Sequence, residues 1–152
     1  MNNPLVIAID PGKGGAAVAM LPSGAVLTYD CPESQIEFLD IADDLKTMGY
    51  SEIIAILEKV HAMPGQGVVS VWSFSANYTT WQMALLAKNI PFIEVSPQRW
   101  MKVFGDLPKD KKERKAAIKD RMQKRYPGVK VTLKNADALA MLSVAGKLIG
   151  NS

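Results

Sequence analysis

The 152-residue chain contains one cysteine, Cys31, and one histidine, His61. A lone thiol closes no internal disulfide and builds no zinc cluster, so a reducing compartment such as the cytoplasm is expected. A lone imidazole is not a metal centre by itself. Long apolar runs are also missing: no window approaches the ~18 consecutive apolar residues of a membrane span. Met1-Asn2-Asn3 passes into Pro4 without a basic leader. Both absences speak against membrane and secretory readings. There is no internal repeat, and no low-complexity segment beyond one lysine-rich run. What remains is 48% apolar and 22% charged residues in a length suited to one globular domain, taken here as 1–152.

The net charge of +3 hides an uneven distribution. Between Arg99 and Lys134 there are 13 Lys and Arg against 4 Asp and Glu, whereas the rest of the chain carries 5 against 11. Such a segment serves either as a solvated helix face or as a surface for a polyanion, whose phosphates lysine and arginine neutralise with release of counterions.

Leu5-Val6-Ile7-Ala8-Ile9 is a continuous apolar run ended by Asp10-Pro11-Gly12, the pattern of a strand buried on both faces. Ala16 to Leu21 and Ala25 to Tyr29, separated by Pro22-Ser23-Gly24, extend it into a three-stranded meander. Ser34 to Met48 reads as a helix, with Ser34 and Glu37 forming a capping box and Gly49 closing it. Ile53-Ile54-Ala55-Ile56-Leu57 is a second continuous apolar run, ended by Glu58. It follows a helix, so a right-handed crossover lays it parallel to a partner strand. Beyond the loop from His61 to Gly67 come a helix over about 68–89, a fifth strand over 90–95, a short helix over 97–104 and a basic helix over 109–126. A final helix over 136–149 has Asn135 as its N-cap. The order predicts a mixed α/β sheet of five strands with flanking helices, the first and fourth strands being central parallel neighbours.

That arrangement brings Asp10 and Glu58 to one edge of the sheet, roughly 5 Å apart in backbone terms. Ligands of parallel sheets bind at this edge. Neighbouring carboxylates repel and raise each other's pKa unless a cation lies between them, and a hard divalent ion such as Mg²⁺ or Mn²⁺ suits oxygen ligands. Taken singly, Asp10 has an ordinary use as a turn former and Glu58 as a solvated strand end. Asp137 is the third candidate. An acid in a first helical turn complements the helix dipole, but the small residues Ala136, Ala138, Ala140, Ser143, Ala145 and Gly146 also let this helix approach the sheet closely.

Four motifs in order resemble those of the RuvC-like Holliday junction resolvases, in particular the short forms found in phages and some bacteria. They are Ile7-Ala8-Ile9-Asp10-Pro11-Gly12 with Gly14-Gly15, Leu57-Glu58-Lys59-Val60, Val95-Ser96-Pro97-Gln98-Arg99-Trp100, and Asn135-Ala136-Asp137-Ala138-Leu139-Ala140. The resemblance spans about residues 5–147. It implies an RNase H-like fold, a homodimer, and cleavage of branched DNA using Mg²⁺ or Mn²⁺, with one or two ions held by Asp10, Glu58 and Asp137. It also implies a bacterial cytoplasmic or phage-encoded setting. The family's further acid or histidine, three positions before the last, is Lys134 here: either Asn135 or water completes the coordination or one metal binds weakly, and the lysine itself holds a phosphate oxygen or points into solvent.

The resemblance further implies base stacking by His61 and phosphate contacts from Lys102, Lys111, Lys112, Arg114 and Lys115, with Lys112 and Lys115 the foremost candidates. Lys119 and Arg121 extend the basic surface. Trp72, Phe74, Tyr78 and Trp81 read as core or dimer contacts, and Val69, Trp72, Met83 and Leu86 as the stripe of a two-fold interface. Arg99 and Trp100 read as packing residues. The glycine-rich start also resembles the phosphate loop of sugar-kinase and actin-type ATPases, but those need two lobes, and this length supplies one. Two alternatives remain: a related nuclease acting on flaps, forks or RNA, and a junction-binding protein that does not cleave.

Overall fold

The computed structural model describes residues 3–59 and 65–150. Five strands, β1 (Leu5–Asp10), β2 (Ala16–Met20), β3 (Val26–Asp30), β4 (Ile53–Glu58) and β5 (Phe92–Val95), form one sheet in the order β3-β2-β1-β4-β5. The meander is antiparallel, and β4 lies parallel to both β1 and β5. The first and fourth strands are therefore central neighbours, as the two apolar runs predict.

Among the described residues six helices cover the sheet: α1 (Gln35–Thr47), α2 (Val68–Ala87), α3 (Pro97–Phe104), α4 (Lys111–Arg125), α5 (Ala136–Ser143) and α6 (Ala145–Gly150). Strand alternation divides the core into two layers. Leu5, Ile7 and Ile9 of β1 pack with Phe38 and Leu45 of α1 and Trp81 and Leu85 of α2. Val6 and Ala8 join Ile56, Trp100 of α3, Ile118 of α4, and Leu139 and Leu148 of α5 and α6.

Local chemistry accounts for the helix ends. Glu37 accepts hydrogen bonds from the amides of Glu33 and Ser34, each at 2.8 Å, and Gly49 closes α1 at a φ of 81°. The fifth strand starts at Phe92, because Pro91 has no amide and the Ile90 amide is spent on the Leu85 carbonyl.

The C-terminal end departs from expectation in two details. Asn135 is the N-cap residue of α5, as expected, but its side chain makes no capping hydrogen bond to the helix. Its Oδ1 accepts from the Thr132 amide at 2.8 Å while Thr132 Oγ1 accepts from the Asn135 amide at 3.2 Å, and the Ala136 amide reaches the Thr132 carbonyl. This reciprocal pair has the pattern of a capping box and fixes the turn that leads into α5. The expected single helix over 136–149 is also broken. Val144 leaves helical geometry at φ −113° and ψ 14°, after the Ser143 hydroxyl donates to the Ala140 carbonyl at 2.7 Å. A hydroxyl on its own helix bends the chain, and here the bend lets Ala145 and Leu148 of α6 bury.

Candidate active site: carboxylates in a basic-walled cleft

Alternation along the two central strands fixes where the acids point. Asp10 continues the face of Val6 and Ala8, and Glu58 that of Ile54 and Ile56, so both carboxylates turn toward the layer of α3 to α6. The parallel register pairs Ile9 with Leu57, which leaves Asp10 and Glu58 one step further on at the same edge. The helix α5 packs on β1 and β2 through its alanines and brings Asp137 to that edge. All three acids line one cleft of about 530 Å³, closed on one side by Val71, Phe74 and Ser75 of α2 and on the other by Lys111, Arg114, Lys115 and Ile118 of α4.

The loop after β1 is shaped around Asp10. The Gly12 amide donates to Asp10 Oδ1 at 3.2 Å, and a β-carbon at Gly12 would meet the Phe74 ring at 2.7 Å. Glycine at 12 thus lets Phe74 roof the loop beside the carboxylate. Glu58 is fixed from the opposite side by the buried Trp100 indole, whose Nε1 donates to Oε2 at 2.6 Å.

Electrostatics bind the three acids into one group. Asp10 is raised from 3.8 to about 6, first by burial and then by the charge of Asp137. Glu58 is raised from 4.5 to about 8, first by burial and then by Asp10, against the lowering effect of the Trp100 hydrogen bond. Asp137 is also raised, by burial. Lys115 opposes these shifts at all three carboxyls. Buried acids that disfavour one another's ionisation form a site complementary to a cation. Among the described residues, however, no three or more His, Cys, Asp or Glu side chains are placed so that together they could hold a metal ion. The acids share a cleft and act on one another's ionisation, and it is the chemistry of their oxygen donors that suits a hard divalent ion completed by water.

The remaining sequence candidates separate. Lys111, Arg114 and Lys115 line the cleft; Lys102 and Lys112 are exposed and do not. The Arg114 guanidinium also donates to the Lys109 carbonyl at 2.9 Å. Lys134 is exposed and outside the cleft lining, while Asn135 is buried in the Thr132 box, with Nδ2 donating to the Lys130 carbonyl. His61 lies outside the described residues. Arg99 packs as expected, donating to the Leu148 carbonyl at 3.0 Å. Trp81 is core, whereas Trp72 is 76% exposed. Sequence reasoning missed Phe74 and Trp100 as site residues. The available signal for Trp100 was chemical, since a buried indole N–H must find an acceptor.

No protein-family model and no curated protein matches the sequence. Solved structures do match in fold. A Thermus thermophilus RuvC in complex with Holliday junction substrate aligns with a TM-score of 0.61 and 14% identity, over 99% of this chain and 98% of that one. A second Thermus thermophilus RuvC structure aligns with a TM-score of 0.55 and 18% identity, over 96% of each chain. The chain thus has the RuvC-type, RNase H-like fold over nearly its whole length. Among the described residues no helix is long and apolar enough to cross a membrane.

Proposed function

We propose that the chain, read as a single nuclease domain over 1–152, is a divalent-metal-dependent endonuclease that resolves four-way DNA junctions by paired symmetrical nicks. The observation carrying this reading is the placement of Asp10, Glu58 and Asp137 in one cleft whose α4 wall is cationic. The likeness in fold to a RuvC bound to a Holliday junction supports the choice of substrate. Asp10, Glu58 and Asp137 are the residues that would hold Mg²⁺ or Mn²⁺. When bound, such an ion supplies Lewis-acid polarisation of a phosphodiester and a lowered pKa for attacking water.

The side chains divide the remaining work. Lys111 and Lys115 face the acids across the cleft and attract the phosphate backbone, which fixes register without reading sequence. Phe74 lines the same cleft, its ring against Gly12, and adds an apolar wall in which the electrostatics of the acids are less screened. Paired nicks need two such sites. The α2 helix offers a surface for a second copy, since Val68, Val69, Trp72, Met83 and Leu86 are 57–85% exposed. A run of large apolar residues this exposed is a sign of association.

The test is incubation with synthetic four-way junctions, forks, flaps and RNA–DNA hybrids in Mg²⁺, Mn²⁺ or EDTA. Symmetrical nicks on the junction, abolished by EDTA, are the expected result. Preference for flaps, forks or hybrids would reassign the substrate within the same fold, and tight binding without cleavage in any metal would make the chain a junction-binding protein.

A further inference from the structure

We infer that Trp100 is a positioning residue of the cleft, its indole N–H holding the Glu58 carboxylate in the orientation that receives a divalent cation. The inference rests on the reading of Glu58 as a cation ligand and adds a residue to it. Trp100 is fully buried, and its ring is fixed from several directions. Ser96 Oγ accepts from the Arg99 amide at 3.2 Å with Pro97 opening the helix, which sets the start of α3. Arg99 ties α3 to the Leu148 carbonyl of α6, and Phe104 meets the indole edge-on at 6.2 Å between ring centroids. A ring held this way presents its N–H along one line, and Glu58 Oε2 lies on that line at 2.6 Å.

Glutamate has several rotatable bonds, and a strand-end glutamate left alone samples many of them. One short hydrogen bond from a rigid donor removes most of that freedom before any cation arrives. Groups that orient ligands in this way typically change metal affinity by about 10–100-fold when lost. A tryptophan used only for packing would find its acceptor in any nearby carbonyl; this one uses a carboxylate of the cleft.

The experiment is Mn²⁺ titration of the purified full-length chain by calorimetry, comparing wild type, Glu58→Ala, Trp100→Phe and Phe104→Leu, each first checked for cooperative thermal unfolding. Trp100→Phe keeps a buried ring and removes only the donor, so Mn²⁺ affinity is expected to fall about tenfold. Phe104→Leu disturbs the packing of the same ring without touching the N–H, and affinity is expected to hold. Equal losses in both variants, or no loss in a folded Trp100→Phe, would overturn the inference. If Glu58→Ala leaves Mn²⁺ affinity unchanged, it is the reading of Glu58 as a ligand that fails, and that result is visible independently of Trp100. Should Trp100→Phe not fold, the wild-type protein supplies the readout: Mg²⁺ is expected to shift the Trp100 indole N–H resonance while the exposed Trp72 indole stays in place. An unmoved Trp100 resonance would refute the role.

Discussion

The backbone at Gly15 passes so close to Asp10 that a β-carbon there would collide with the Asp10 carbonyl oxygen and lie 2.7 Å from the carboxyl Cγ and 2.9 Å from Oδ1. The Gly15 amide is fixed to the Gly12 carbonyl at 2.8 Å, so the loop cannot easily back away. Gly15→Ala is therefore expected to displace the end of β1 together with the Asp10 side chain, at a cost of about 1–3 kcal/mol typical of an overpacked site. Chemical denaturation and Mn²⁺ titration of this variant should both show losses, whereas Gly14→Ala, with open space around it, should change neither.

Asp10→Asn preserves shape and removes a charged oxygen donor from the cleft. Cleavage of a four-way junction should fall by on the order of 10³-fold or more, as for removal of a residue on which the chemistry depends. Binding should persist, because the cationic wall of Lys111, Arg114 and Lys115 is untouched. Gel-shift and nicking assays on the same junction separate the two effects; undiminished nicking would remove Asp10 from the site.

Asp10 and Glu58 are both raised by burial, to about 6 and about 8. The folded chain therefore keeps protons that the unfolded chain has already released, and stability without metal declines as pH rises from about 4 toward 8. A divalent ion binds the ionised form and acts against this decline. Mn²⁺ should then raise the melting temperature substantially at about pH 8 and little at about pH 5, and Glu58→Gln should flatten the metal-free pH profile. A metal effect that does not vary with pH would contradict the assignment.

Much of this was legible in the sequence because the apolar runs are unambiguous. Leu5 to Ile9 and Ile53 to Leu57 are too short and too continuous for surface helices, and their terminal acids inherit a common face from strand alternation alone. Other features depended on distant partners. The acceptor of the Trp100 indole lies 42 residues away in the chain, and nothing in Ser96-Pro97-Gln98-Arg99 announces it. The break at Val144 carries neither glycine nor proline, and only the Ser143 hydroxyl marks it. The hydrogen-bonded pair of Thr132 and Asn135 was hidden because Leu133, exposed, interrupts the apolar period before Asn135. The cleft lysines were readable in principle. Ile118 and Met122 mark the buried face of α4, and counting back three, four and seven residues from Ile118 gives Lys115, Arg114 and Lys111.

That count makes Lys112 and Lys115 unequal, although they sit three residues apart in one lysine cluster. Lys115 lines the cleft and its charge lowers the pKa of Asp10, Glu58 and Asp137 alike; Lys112 is exposed and outside the cleft. Lys115→Ala is expected to reduce junction cleavage by roughly a hundredfold, the scale of losing one electrostatic contact to the reacting group. It should also move the rise of activity to higher pH, because each carboxyl loses a cation that favours its ionised form. Lys112→Ala should weaken junction binding slightly and leave the pH profile where it was. Rate–pH curves for the two variants at saturating Mn²⁺ decide between a residue of the cleft and a residue of the general basic surface, and coincident curves would return both lysines to the surface.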